Sequence, residues 1–212
     1  MTTSIWSLTL DDFQRNLAST APAPAGVSLA AATATFALNL LVKTLAIAAR
    51  HKDAPEDARS IQNLIEEATG MSTQLARSAD LDAVAFDAYI NASRLPTSTD
   101  AERESRAHAI GESRKYIVDV PLTAARLAAA GIDVCERSVD LLHAFVIADL
   151  GAATALLAGA VTAILGSLDY NLRQLPSDDG FRIAAETERE AMQLRVLQLA
   201  TRIQSRIDPR NH

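Results

Sequence analysis

Alanine is the feature that most constrains the fold of this chain. It occupies 41 of the 212 positions. Alanine combines the best helix propensity with a side chain small enough to let helices approach closely. No segment alternates apolar and polar residues with period two, so no sheet is expected. The sequence therefore predicts an all-α fold, a single-domain bundle of about six or seven helices that spans residues 1–212.

Breakers and caps divide the chain into helices. Pro22 and Pro24 exclude a helix between residues 20 and 26, because each proline lacks a backbone donor and has a restricted φ. Thr99 and Glu102 have the spacing of a capping box and begin a helix. Pro121 is expected to interrupt or restart that helix. The predicted helices cover residues 7–18, 27–51, 55–93, 99–118, 121–142, 149–175 and 181–207.

The second helix and residues 150–168 are strongly apolar. Residues 150–168 carry no charge, and nineteen residues are long enough to cross a bilayer. Their content is mostly small, and Asp149 and Asp169 flank them, so we interpret them as a buried helix rather than a membrane span. Two such helices carry more apolar surface than a small monomer covers. This predicts a symmetric homodimer with an interface of roughly 2,000 Å² or more.

Charge and cysteine content limit the compartment and the partners. The net charge of −6 argues against a nucleic-acid surface, which requires a basic face. Cys135 is the single cysteine, so no intramolecular disulfide forms. We interpret it as a buried, inert thiol in a reducing compartment. The first ten residues lack the basic and apolar regions of a signal peptide. A cytoplasmic protein is expected, without a membrane or nucleic-acid partner.

No common catalytic or metal-binding motif is present. The glycine-rich phosphate loops and the nucleophile elbow are missing from the sequence. Glu104, His108 and Glu112 share one helix face at a spacing that a metal site can use, but a solvated face explains them more simply. We therefore expect no metal site.

Two carboxylates stand in apolar surroundings and are the most informative residues. Asp82 lies between Leu81 and Ala83, and Asp149 interrupts an apolar run. A buried charge is costly unless it is paired or used, and burial raises the pKa of a carboxyl group into the range of acid–base catalysis. A helix cap or a buried salt bridge explains each residue equally well. Asp149 in particular is in position to be the N-cap of the apolar helix.

Six short segments together resemble one known family. They are LAS at 17–19 followed by PAPAGVS at 22–28, DAVAF at 82–86, RLP at 94–96 followed by Thr99, Glu102 and Arg106, VPL at 120–122, ADLGAA at 148–153, and LDYNL at 168–172. In this order they resemble the formiminotransferase-cyclodeaminase C-terminal family, which includes stand-alone methenyltetrahydrofolate cyclohydrolases.

The resemblance implies a fold, a reaction and a set of site residues. It implies an all-α homodimer with its active site in a cleft at or near the subunit interface. It also implies hydrolysis of 5,10-methenyltetrahydrofolate or loss of ammonia from 5-formiminotetrahydrofolate, with a tetrahydrofolate derivative as the substrate and no cofactor. Asp82 is the expected catalytic acid and base. The expected substrate-binding residues are Pro24, Gly26, Ser28, Arg50, His51, Lys52, Asp149 and Asn171, with Arg50 or Lys52 at an anionic tail.

The chain also departs from the family pattern. Ala25 and Val27 replace two loop glycines, a residue type that permits close approach of the backbone to a ligand. Arg50 and His51 follow two alanines where the family has a glycine and several lysines, and Ala148 and Ser167 replace a serine and an asparagine. Three functions stay open: a folate enzyme, a relative that acts on another imine or cyclising substrate, and a non-catalytic helical dimer that binds a ligand.

Overall fold

The computed structural model of the chain describes residues 3–50, 55–143 and 145–208. These residues form six α-helices and two single 3-10 turns, and no strand occurs among them. The all-α prediction is confirmed. The helices are α1 (Leu10–Leu17), α2 (Gly26–Ala49), α3 (Pro55–Ser93), α4 (Asp100–Ser138), α5 (Ile147–Leu172) and α6 (Gly180–Ile207), and the 3-10 turns are Ile5–Ser7 and Val139–Leu141.

Local sequence signals account for where several helices begin. The predicted capping box forms at the start of α4, where the Thr99 hydroxyl accepts from the amide of Glu102 and the Glu102 carboxylate accepts from the amide of Thr99. The Asp179 carboxylate likewise accepts from two amides in the first turn of α6. Side chains that are close in sequence accept from the first amides of these helices, so the local sequence is enough to predict where the helices begin.

The predicted break at Pro121 is wrong, because α4 runs without interruption through it. A proline has no amide hydrogen, so the carbonyl group of Ile117, four residues earlier, loses its partner within the helix. Asn171 of α5 supplies the missing donor, with its Nδ2 atom 2.7 Å from the Ile117 oxygen. Pro121 is itself buried. Packing and this hydrogen bond together keep the helix continuous.

Helices α2 to α5 form an antiparallel four-helix bundle. Each packs against the next, and α5 also packs against α2, which closes the bundle. Helix α6 lies outside, along α4 and α5. It runs parallel to α4, since four ion pairs join the two helices at a nearly constant offset: Arg126–Glu188, Asp133–Arg195, Glu136–Arg202 and Asp140–Arg206.

The two apolar helices, α2 and α5, lie side by side in this bundle. By length and composition both are able to cross a membrane, but the core helices of soluble proteins meet the same criterion. Each buries more than ten residues against its neighbours. At Gly131 of α4 the packing is so close that an added Cβ would lie 2.8 Å from Leu38 Cδ2 and 3.3 Å from Leu157 Cδ1. This packing supports their interpretation as core helices.

Candidate functional site

The side chain of Asp82 on α3 meets the first turn of α2. The Ser28 hydroxyl oxygen lies 3.0 Å from Asp82 Oδ2 and 2.9 Å from the carbonyl oxygen of Ala79. The N-cap of α2, Ala25, offers no side-chain hydrogen bond, and the first turn contains no acidic residue. A helix N-terminus carries a partial positive charge. Asp82 therefore supplies from another helix the negative charge that α2 lacks.

The environment of Asp82 raises the pKa of its carboxyl group, the direction that the sequence predicts. Burial raises the pKa of the Asp82 carboxyl group above its ordinary value, and hydrogen bonds from the hydroxyl and the backbone amide of Ser28 offset part of that rise. The donor that stabilises the ionised form of Asp82 is thus Ser28. Asp82 forms no salt bridge with any residue in the described ranges. A carboxyl group of raised pKa that is not neutralised by a cation suits general acid–base chemistry.

Ala25 and Val27, which replace two loop glycines of the family, adopt backbone conformations that do not require glycine. Ala25 has φ −125° and ψ −161°, an extended conformation open to any residue. Val27 is 5% exposed and points into the core. Gly26, which is retained, has no positive φ, and a Cβ there would lie at an ordinary 3.7 Å from Ser167 Oγ. The substitutions therefore leave the backbone beside Pro24 unstrained.

Five of the predicted site residues lie at one end of the bundle. Asp82 contacts Ser28 directly. Pro24 and Gly26 lie four and two residues before Ser28 in the chain. Gly26 lies near Ser167, since a Cβ added at Gly26 would be 3.7 Å from Ser167 Oγ, and this places the C-terminal part of α5, with Asn171, at the same end. Asn171 is partly buried, and its amide group donates to the α4 backbone. One role of Asn171 is therefore structural.

Arg50 and Asp149 lie at the opposite end of the same subunit. Arg50 directly follows α2, 24 residues after Gly26, which corresponds to about 36 Å of helix. Asp149 lies in the first turn of α5, 22 residues or about 33 Å before Asn171. The predicted N-cap role of Asp149 is wrong, because Val146 occupies the cap. Within one subunit neither residue reaches Asp82. His51 and Lys52 fall outside the described residues.

An arginine-lined cleft, which sequence reasoning missed, opens along the first half of α4. Its volume is about 400 Å³, and no carboxylate is among its lining residues: Thr97, Arg103, Arg106, Ala107, Ile110 and Arg114. Arg106 is held by two hydrogen bonds, of 3.1 and 3.0 Å, to the carbonyl oxygen of Ser93. The Nε atom of Arg114 is buried and has no hydrogen-bond partner among the described residues. The sequence signal was the placement of three arginines on one face of α4. We refer to this feature as the arginine cleft.

Cys135 and the possible metal ligands take no part in this site. Cys135 is fully buried, as predicted, and burial raises the pKa of its thiol to about 12. The thiol is therefore protonated at neutral pH and is a poor nucleophile. Glu104, His108 and Glu112 are all exposed on α4, and Glu112 pairs with Lys115 at 3.4 Å.

Comparison with known proteins gives relatives of one kind. The sequence profile of the Formiminotransferase-cyclodeaminase family matches residues 9–191. The chain is 32% identical over 145 residues to a methenyltetrahydrofolate cyclohydrolase of Methylorubrum extorquens, a match that covers 68% of this chain and 70% of the relative. It is 29% identical over 181 residues to the formimidoyltransferase-cyclodeaminase of Mus musculus. That match covers 84% of this chain but only 33% of the mouse protein.

A solved structure shares the fold. The formiminotetrahydrofolate cyclodeaminase of Thermotoga maritima superimposes with a TM-score of 0.85 over 96% of this chain and 98% of that one, at 18% sequence identity. Identity this low shows likeness of fold alone. The profile match over residues 9–191 shows that this chain belongs to the formiminotransferase-cyclodeaminase family.

Proposed function

We propose that this chain is an enzyme of one-carbon folate metabolism. Its reaction is either hydrolysis of the methenyl bridge of 5,10-methenyltetrahydrofolate or closure of that bridge from 5-formiminotetrahydrofolate with loss of ammonia. The names of the relatives support this substrate class. The observation that carries the proposal is the partly buried Asp82 carboxyl group, whose pKa is raised and which has no ion-pair partner among the described residues.

One carboxyl group suffices for the hydrolysis. Ionised Asp82 removes a proton from a water molecule as the water oxygen bonds to the bridge carbon. Protonated Asp82 then returns that proton to the folate nitrogen as the carbon–nitrogen bond breaks, and the remaining hydroxyl proton of the adduct leaves to solvent water as the formyl carbonyl group forms. In the ammonia-releasing reaction the formimino group reacts in its protonated form, with two hydrogens on its nitrogen. Asp82 takes the proton of N10 as N10 bonds to the formimino carbon and passes it to the amino group of the adduct, which leaves as ammonia. Both reactions require a group that alternates between two protonation states near neutral pH.

The arginine cleft is the better candidate for the anionic tail of such a substrate within one subunit. Arg106 is bound to Ser93, which lies 11 residues or about 16 Å beyond Asp82 on α3. Arg114 lies closer, one turn before Ile117, whose carbonyl group binds Asn171. Arg50, the residue first proposed for the tail, lies at the far end of α2. A guanidinium group with an unused buried donor is suited to bind a carboxylate.

We also propose that the chain works as a homodimer. The outer face of α5 exposes a row of small residues, which are Ala152, Ala155, Gly159, Ala163 and Gly166. Leu156 and Tyr170 on the same helix are 44% and 68% exposed. A two-fold axis near the middle of this row would pair the α5 helices antiparallel and bring the Arg50 and Asp149 end of one subunit to the Asp82 end of the other. A monomer in light scattering at micromolar concentration would contradict this.

Substitution of Asp82 by asparagine tests the proposed function. Asp82→Asn keeps the shape of the side chain but removes the titrating proton. We expect the variant to fold and assemble normally, and to lose turnover by about 10²–10⁴-fold. Turnover is measured by the loss of methenyltetrahydrofolate absorbance and, separately, by ammonia release from 5-formiminotetrahydrofolate.

Asp87→Asn is the matched control, because Asp87 is an exposed carboxylate on the same helix. We expect it to retain wild-type turnover. Full activity of Asp82→Asn on the substrate that the wild type accepts would remove Asp82 from the mechanism. A wild-type protein without activity on either folate would refute the folate substrate and favour a different imine or amidine.

A further inference from the structure

The hydroxyl group of Ser28 has two possible acceptors but only one hydrogen. Its oxygen lies 2.9 Å from the carbonyl oxygen of Ala79 and 3.0 Å from Asp82 Oδ2. A hydroxyl group donates one hydrogen bond and accepts up to two. Ala79 lies within α3, where its carbonyl group accepts from the amide four residues later. The Ser28 hydrogen is therefore not required at Ala79 and is available to Asp82.

These contacts allow two complete hydrogen-bond arrangements, one for each protonation state of Asp82. When Asp82 is ionised, the Ser28 hydroxyl donates to its carboxylate. When Asp82 is protonated on Oδ1, the oxygen that Ser28 does not contact, Oδ2 is the carbonyl oxygen of the acid and still accepts from the Ser28 hydroxyl. The contact of Ser28 with Oδ2 is therefore kept in both states, and no heavy atom has to move. Each arrangement satisfies the buried polar groups, which are costly when left unpaired.

We infer that Ser28 is a positioning residue that donates to Oδ2 of Asp82 in both protonation states and so leaves Oδ1 as the oxygen that exchanges a proton with the substrate. This inference rests on the proposed use of Asp82 as the catalytic acid and base. Ser28 gains and loses no proton in the cycle. Its side chain is fully buried behind Asp82, so Ser28 supports the reacting group and does not contact the substrate.

The surroundings of Asp82 isolate this pair from other charges. Burial and the two hydrogen bonds from Ser28 are the causes of its shifted pKa. On the same helix, Asp80 is engaged elsewhere, since it accepts from Ser4 Oγ at 2.7 Å and from the amide of Ile5 at 2.9 Å. On α4, Asp119 is exposed. Removal of the Ser28 hydroxyl therefore changes the local hydrogen bonding of Asp82 without breaking an ion pair.

The direct test is a carboxyl-carbon NMR titration of Asp82 in the full-length wild type and in Ser28→Ala. We expect Ser28→Ala to raise the pKa of Asp82 by about one pH unit, because a hydrogen bond to the charged form is worth more than one to the neutral form. Ser28→Thr, which keeps the hydroxyl, should restore the wild-type value. Ser138→Ala is the control, since Ser138 is equally buried but donates within its own helix, to Val134.

Kinetics provide the second readout. Ser28→Ala should lower kcat about tenfold with KM unchanged, and the pH-rate limb of Asp82 should move upward with its pKa. Equal Asp82 pKa values in the wild type and Ser28→Ala would overturn the inference. So would a raised KM with unchanged kcat, which would make Ser28 a substrate contact. The titration needs no turnover, so inactivity toward folates would refute the proposed substrate and leave this test intact.

Discussion

The hydrogen bond between Asn171 and Ile117 predicts that the stability cost of Asn171→Ala depends on whether position 121 is a proline. Asn171 Nδ2 donates to the carbonyl group that Pro121 leaves without a helical partner, at 2.7 Å. Asn171→Ala removes that donor and leaves a partly buried carbonyl group unsatisfied. Such a loss costs about 1–3 kcal/mol. We expect about 1–2 kcal/mol because the site is only partly buried.

Pro121→Ala should make the same loss harmless. An alanine at position 121 has an amide hydrogen, which can donate to the Ile117 carbonyl group within α4. In that background Asn171→Ala should cost less than about 0.5 kcal/mol, so the two substitutions should couple by about 1 kcal/mol. Two residues that are distant in sequence and not otherwise coupled would show additive effects.

The assay is urea denaturation of the four proteins followed by circular dichroism, at one protein concentration so that any dimerisation affects all equally. Asn63→Ala, at an exposed position on α3, is the control for loss of an asparagine. An equal cost of Asn171→Ala in both backgrounds would refute the structural role. A raised KM without loss of stability would assign Asn171 to substrate binding alone.

Three further predictions concern packing, pH and the arginine cleft. Gly131→Ala should be less stable than Gly111→Ala by about 1–3 kcal/mol in the same denaturation assay, because its Cβ meets the buried Leu38 side chain while Gly111 has open space. The folded-state pKa of Asp82 is raised above the ordinary 3.8, so its contribution to stability is complete below pH 3.8 and is lost as pH rises through the folded pKa. The stability of Asp82→Asn relative to the wild type should therefore increase with pH, and a flat difference would contradict the raised pKa. Arg114→Met should raise KM about 10–100-fold for a folate with its glutamate tail and leave KM unchanged for an analogue without it; equal effects on both would exclude a tail site.

Most of the secondary structure was predictable because its determinants are local. The capping box of Thr99 and Glu102 begins α4 where expected, and α3 has the predicted bounds, Pro55–Ser93. The apolar character of α2 and α5 likewise indicated their place in the core. The raised pKa of Asp82 was predictable because a carboxylate among apolar residues on a helix is expected to be at least partly buried, and burial disfavours its charged form. Helix propensity, capping and hydrophobic pattern all act within a few residues, so the sequence carries them directly.

Other properties were decided only by which helices lie side by side. Pro121 interrupts a helix in isolation, but α5 brings Asn171 to the carbonyl group it exposes. The partner of Asp82 is Ser28, 54 residues earlier, because antiparallel packing sets the start of α2 against α3. The same packing places Arg50 at the far end of the bundle, since a straight helix separates its two ends by its full length. Contacts between helices depend on the registers and directions of both, and no single segment of sequence contains that information.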